Sequence, residues 1–402
     1  MWLIGELKVD LKVCVLPYRR SASGIAAYTL EVAKALSSQN VKVSLITFGL
    51  TKNQRINLEE IGINVIEASS KDPVKNDLLG PLPAYILLSK RLLKVLFQEN
   101  LLKHIDILHF TLPPATLSFK HYDTIVATAW VPLDFKEDME KNFRSFKFPW
   151  NFLSSLATIE GRIIDDVAFR KASKIICPTK SIFQRLNDKY PAKVAYIRPP
   201  IKMPTVLPIT KKDEDTISVL CVSRNLEMPR KNIVTFLRSL LVLNELGITN
   251  FRVVLVGKCS KSMNVLINSI SKKAKISIKL IQFLPREKLF NIYSASDIFV
   301  CPSFYEEVGY TLLEAMASGL PVVASDIPTF REITEGGRNA LLVPVNNYKA
   351  MALSLKVLIE DDKLRKRLGK ESLRIIKQNY CWEVISRDLV SLYQSVLKDK
   401  PQ

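Results

Sequence analysis

Histidine, cysteine pairs and long apolar runs are what this chain has least of, and each shortage closes off a class of function. Only three histidines occur in 402 residues, His104, His109 and His121, and they show no metal-ligand spacing. The six cysteines, Cys14, Cys177, Cys221, Cys259, Cys301 and Cys381, form no Cys-x-x-Cys pair and sit mostly in apolar stretches. That usage fits buried thiols in a reducing compartment better than a disulfide framework or a zinc site. The opening MWLIGELKVD lacks the apolar core of a signal peptide. No run approaches the ~20 apolar residues of a membrane-spanning helix. A cytoplasmic protein is expected, at most peripheral on the cytoplasmic face of a membrane.

Positive charge is what the chain has in excess. Fifty-eight lysines and arginines face 39 acidic residues, a net charge of +19, and the excess is shared about evenly by the two halves. Nucleic acid, an anionic membrane surface and an anionic nucleotide substrate would all be drawn to it. The length suits two domains of about 200 residues each.

The most informative stretch runs from Phe299 to Glu332, FVCPSFYEEVGYTLLEAMASGLPVVASDIPTFRE. A short apolar run reads as a buried strand. A turn bearing Gly309 follows, then a helix-period segment stopped by Gly319, with Pro321 just beyond. The apolar PVVAS and a second helix start complete a βαβα pattern, which implies a parallel sheet. Ligands of such sheets sit at the carboxyl ends of strands, where turns enter helices. Here Glu306 lies on the turn and Glu314 in the helix. Between them the backbone N–H groups of Gly309, Tyr310 and Thr311 head the helix, a natural anion receiver. That arrangement suits a nucleotide sugar, with diphosphate on the amides and hydroxyls on the acids. Thr311 to Glu314 and Thr329 to Glu332 also fit the capping box S/T-x-x-E, and spacing alone leaves both readings open.

A second candidate cluster follows the apolar TISVLCVS, where the turn RNLEMPRKN places Arg224, Arg230 and Lys231 ahead of a helix. Forked guanidinium and point-charge ammonium groups suit a diphosphate there; a merely exposed basic turn is the alternative.

The segment PSFYEEVGYTLLEAMASGLPVVASD, with Glu306 and Glu314 separated by seven residues, closely resembles the signature of glycosyltransferase family 4, the group 1 retaining glycosyl transferases. The resemblance implies a GT-B fold, α/β in class: two Rossmann-like domains with parallel sheets facing across a cleft. In that likeness Glu306 contacts the donor sugar and Glu314 the ribose, Arg224 and Lys231 hold the diphosphate, and the backbone at Phe283–Leu284 holds the base. Gly24 matches the glycine of the family's N-terminal loop, with Arg19 and Arg20 as acceptor contacts. Two positions depart from the pattern. Glu307 stands where the family usually has glycine. Trp130 stands where many members have a cleft histidine, and an indole, which only donates, cannot carry a proton. The role would pass to Asp134, or the acceptor would be of another kind, or Trp130 would serve as a stacking platform.

Pro199, Pro200, Pro204 and Pro208 mark a stiff linker. The expected organisation is an N-terminal acceptor domain over 1–205, a nucleotide-sugar domain over 206–380, and a helix over 381–402 crossing back to the first domain. Residues 82–103 read as an amphipathic helix carrying Lys90, Arg91, Lys94 and Lys103; it either packs on its own domain or lies on a membrane. Residues 135–152 mix aromatic and basic side chains and permit the same two readings. His109, on an apolar strand, reads as a satisfied core residue. The expected activity is hexosyl transfer from a nucleotide-diphosphate sugar to a glycan or lipid-linked acceptor. Cations would stand in for a metal, with no cofactor and no nucleic-acid partner. A catalytically weak GT-B binding subunit and a sugar phosphorylase on the same fold are the alternatives.

Overall fold

The computed structural model describes residues 11–19, 23–69, 81–119, 124–130, 163–204, 216–282, 284 and 286–399. Arg20, Asp134, Phe283, Pro208 and the aromatic-basic run over 135–152 lie outside them. The chain divides into two compact units, Met1–Pro200 with Trp382–Gln402, and Ile201–Cys381.

Unit 1 alternates strands and helices: β1 (Lys12–Arg19), α1 (Ser23–Ser37), β2 (Lys42–Phe48), α2 (Lys52–Glu59), β3 (Asn64–Ser69), α3 (Pro81–Gln98), β4 (Ile107–Phe110) and β5 (Ile125–Thr128). These are followed by α4 (163–171), β6 (Lys174–Cys177), α5 (Lys180–Asn187) and β7 (Val194–Tyr196). The strands form a seven-stranded sheet in the order β3-β2-β1-β4-β5-β6-β7, parallel at each described pairing. Strands such as β4 and β5 are buried along their whole length, as parallel strands covered on both faces must be. Leu88, Leu92 and Leu96 line one face of α3 and join this core, so the helix packs on its own unit.

The last helix, α13 (Trp382–Lys398), belongs to unit 1 and packs on α1. Trp382 Nε1 donates to Glu31 Oε2 at 2.8 Å. Tyr393 OH lies 2.8 Å from His109 Nδ1, and His109 Nε2 lies 2.7 Å from Thr128 Oγ1. With both ring nitrogens bonded and the ring fully buried, burial lowers the His109 pKa to about 3 and keeps it neutral. It is a satisfied core histidine.

Unit 2 runs β8 (Ile217–Asn225), α6 (Ile233–Glu245), β9 (Phe251–Lys258), α7 (Lys261–Ala274), β10 (Ser277–Ile281), α8 (Arg286–Ser294), β11 (Ile298–Cys301) and α9 (Tyr310–Ala317). It continues with β12 (Val322–Ser325), α10 (Pro328–Ile333), β13 (Ala340–Val343), α11 (Tyr348–Glu360) and α12 (Asp362–Asn379). Its six strands are ordered β10-β9-β8-β11-β12-β13 and pair in parallel. Val253, Leu255, Val300 and Val323 meet Phe236 and Leu240 of α6 in its core. Gly257 has φ +155° and a Cβ there would sit 2.1 Å from Ser223 O, so only glycine lets β8 and β9 approach as they do.

Candidate functional site

β8 and β11 are neighbours in the unit 2 sheet and run in the same direction, so the turns that leave them emerge at one edge. The turn after β8 tightens into a 3₁₀ segment, Pro229–Lys231, before Asn232 opens α6 in a left-handed conformation. Residues 302–309 form the turn after β11. The two turns are tied by their backbones, Phe304 N donating to Arg230 O at 2.8 Å.

Glu306 lies at the centre of this junction and is only 6% exposed. Its Oε1 accepts from Lys231 Nζ at 2.5 Å and from Ser303 Oγ at 2.8 Å, and its Oε2 from Arg230 Nη1 at 3.1 Å. Its carbonyl accepts from Thr329 Oγ1 of α10 at 2.6 Å. Burial alone would raise this carboxyl. The charges of Lys231 and Arg230, with hydrogen bonds from Lys231 and Ser303, outweigh it and hold the group below its ordinary range. The result is an ionised carboxylate fixed between two cations.

Glu314 is buried one turn into α9. Tyr293 of α8, itself fully buried, places its hydroxyl 3.1 Å from Glu314 Oε2 and 3.3 Å from Thr311 O. Gly309 is the residue before α9, with φ +69° and no side-chain cap on the helix. A Cβ at that position would meet Phe330 Cε1 at 3.1 Å and Ile333 Cδ1 at 3.2 Å. Glycine therefore lets α9 start hard against α10, with Tyr310 and Thr311 in its first turn.

Neither capping box forms. α9 begins after Gly309, so Thr311 is already inside the helix and Glu314 pairs with Tyr293 instead. α10 begins after Ile327, and the Thr329 hydroxyl goes to the Glu306 carbonyl. The competing reading fails because both threonines fall one or two residues past the helix starts.

The other candidates are more scattered. Arg224 is exposed at the end of β8, and it is Arg230 that joins Lys231 on Glu306. Leu284 is half-buried between β10 and α8. In unit 1, Arg19 ends β1 and Gly24 is exposed in the first turn of α1. Trp130 is 95% buried as 5% exposure remains; it stands edge-on to Tyr28 at 4.7 Å and donates from Nε1 to Thr111 O at 2.5 Å. The fold makes it a core side chain, not an open stacking surface, because its single donor finds a backbone acceptor inside.

Ser303, Tyr293 and Thr329 carry the two glutamates, and sequence reading alone did not single them out as such. Ser303 had a signal, being inside the motif. Tyr293 had none, since 21 residues separate it from Glu314. Among the described residues no group of three or more His, Cys, Asp or Glu side chains could hold a metal ion. No helix among them is long and apolar enough to cross a membrane.

Two family models match the chain. Residues 22–203 match the model of Glycosyltransferase Family 4, and residues 204–374 match that of Glycosyl transferases group 1. Each half of the chain is thus similar to a glycosyltransferase domain, the second to the group 1 glycosyl transferases. A D-inositol 3-phosphate glycosyltransferase of Corynebacterium glutamicum is 33% identical over 125 residues, 30% of each chain. The chain spans about a third or less of the length of the curated relatives it matches. Among solved structures, sucrose-phosphate synthase of Thermosynechococcus elongatus superposes with TM-score 0.75 at 16% identity, covering 97% of this chain and 100% of that one. HepE of Anabaena, solved with UDP and glucose, gives TM-score 0.68 at 16% identity over 96% of this chain and 100% of its own. The two parallel-sheet α/β domains are those of the GT-B fold.

Proposed function

We propose that this chain is a retaining glycosyltransferase that moves a hexose from a nucleotide-diphosphate sugar to an acceptor hydroxyl. The observation that carries the reading is the convergence of Lys231 and Arg230 on Glu306, in the turn that leads to the head of α9. As the bond between the sugar's anomeric carbon and the phosphate oxygen breaks, its electron pair stays on the diphosphate. Fixed cations and helix-head amides are suited to that growing charge, and each such donor is worth roughly 10²–10³ in rate when it is removed. Glu306 orients the sugar and Glu314, steadied by Tyr293, anchors the ribose. Arg224 remains a candidate for the diphosphate and the backbone at Phe283–Leu284 for the base. HepE, solved with UDP and glucose, supports a donor of this kind.

Transfer is proposed to proceed without a divalent ion, Lys231 and Arg230 supplying the positive charge. The acceptor is proposed to be a glycan or lipid-linked precursor at a membrane surface. The outer face of α3 supports this, since Lys90, Arg91 and Lys94 are exposed there beside exposed Ile86, Leu87 and Phe97. Flotation with anionic vesicles tests the contact: Lys90→Glu with Lys94→Glu should abolish it, and unchanged flotation would discard it.

The decisive experiment is a thermal-shift panel of nucleotide sugars, followed by assay of nucleoside-diphosphate release with and without chelator. A bound donor raises the melting temperature according to its affinity. Failure of every nucleotide sugar to stabilise the protein would sink the reading. Loss of transfer with chelator would remove only its metal-free form. Stabilisation without turnover on any acceptor would favour a binding subunit.

A further inference from the structure

The exposed apolar side chains of unit 2 are gathered on one layer of helices. α6, α7 and α11 pack side by side with α6 in the middle, over the core that holds Val253, Leu255, Val300 and Val323. Val234 of α6, Leu246 at its end, Val265 and Leu266 of α7, and Leu353 and Val357 of α11 are all exposed, Val265 to 68%. Among the described residues of unit 2, Met228 is the one other large apolar side chain so exposed, and α8, α9, α10 and α12 carry none. Apolar side chains scattered singly over a surface need no partner, but a grouping of this kind marks a contact surface.

Helical spacing sets cations in line with these side chains. On α7, Lys261, Val265, Asn268 and Lys272 follow one another at steps of four, three and four, all exposed, with Leu266 and Lys273 exposed beside them. On α11 exposed Lys349 stands one turn ahead of Leu353, and on α6 exposed Arg238 stands one turn after Val234. The acids of the three helices are Glu245 and Glu360, the second paired with Lys356 at 2.6 Å. α7 has none, and no acidic residue occurs from Leu246 to Arg286. Three neighbouring helices of this length present a surface roughly 20 Å long and about 20 Å across.

We propose that the face made by α6, α7 and α11 is a docking surface for an anionic lipid bilayer. It is distinct from the α3 contact of the proposed function and does not depend on glycosyl transfer. Lysine is a hydrated point charge on a flexible stem, suited to diffuse attraction by anionic headgroups, while Val265, Leu266, Leu353 and Val357 enter the interface between the cations. A single-stranded nucleic acid would be met by aromatic platforms. Here Phe236 of α6 is fully buried, Tyr348 of α11 is half-buried, and α7 has no aromatic side chain. A second copy of the chain would set these lysines against themselves across a twofold axis, and like charges so placed oppose association.

The test is co-sedimentation of the full chain with sucrose-loaded phosphatidylcholine vesicles, with and without phosphatidylglycerol, over a lipid titration. Lys272→Glu with Lys273→Glu should lower the partition coefficient on anionic vesicles at least about tenfold. Val265→Ser with Leu353→Ser should lower it severalfold, and that loss should persist at high salt, where the electrostatic attraction is screened. These positions are exposed, so the melting temperatures of both variants should match that of the wild type. The same factors should reappear in a Lys90→Glu, Lys94→Glu background, where flotation is lost but sedimentation at high lipid still reads weak binding. Unchanged partition in both unit 2 variants overturns this face and leaves the α3 contact standing. Loss in these variants with no effect of the α3 substitutions supports this face and discards the other. A dimer in sedimentation velocity that the same substitutions dissolve, without lipid binding, overturns the proposal and assigns the face to a second copy. Absence of wild-type binding to anionic vesicles overturns both contacts.

Discussion

Lys231 and Glu306, 75 residues apart in sequence, meet inside unit 2 with Nζ 2.5 Å from Oε1. This ion pair joins the exits of β8 and β11, and Arg230 completes it from the next position. Acid and cations are thus one assembly, and any change to one member alters the charge seen by the others.

Glu306→Gln and Lys231→Ala should each lower turnover by about a hundredfold or more, as expected for groups that meet developing charge. Lys231→Ala leaves Glu306 buried with one cation fewer, so it should also cost on the order of 3 kcal/mol of stability. Steady-state kinetics and urea unfolding check the two effects, and near-normal turnover in either variant would take that residue out of the chemistry.

Tyr293→Phe removes the hydroxyl 3.1 Å from Glu314 Oε2 without changing the ring's volume. A buried carboxyl that loses a donor should cost about 1–2 kcal/mol. The expected signature is weaker nucleotide binding with the sugar preference retained, read by calorimetry. Unaltered affinity would mean that Glu314 does not depend on Tyr293.

At Gly309, φ +69° and the contacts with Phe330 and Ile333 both oppose a side chain. Gly309→Ala should destabilise unit 2 by roughly 1–3 kcal/mol. Thr329→Val frees the Glu306 carbonyl at nearly constant volume and should lower turnover more than stability. Equal losses in both would show Thr329 to be structural only.

Acid should weaken unit 1 through His109. Its pKa is lowered to about 3 by burial, so the unfolded chain binds the proton first. The stabilisation is full above the ordinary histidine value and is lost as pH falls from about 6.5 towards 3, at up to about 1.4 kcal/mol per pH unit. Urea midpoints between pH 7.5 and 4 should fall, and His109→Gln should make that slope shallower. Glu306, whose pKa is depressed, adds a loss of the same sign below the ordinary carboxylate range. A parallel slope in wild type and variant would contradict the assignment to His109.

Much was legible in the sequence, for a local reason. Strands buried on both faces must be written as apolar runs, and turns between strand and helix must be written in glycine, proline and polar residues. Thus β11, α9 and β12, the two glutamates and the basic turn could all be located before any coordinates. The choice among neighbouring residues could not. Whether Arg230 reaches Glu306 depends on how two turns meet. Whether Thr329 caps a helix or clamps a carbonyl depends on where α10 begins. Trp130 found its acceptor on Thr111, and Glu314 its partner on Tyr293, because β-sheet order brought separate segments together. Local sequence determines which groups are offered and on which element; only packing across the sheet decides which of them touch, since hydrogen bonds and ion pairs require contact in space that sequence distance does not record.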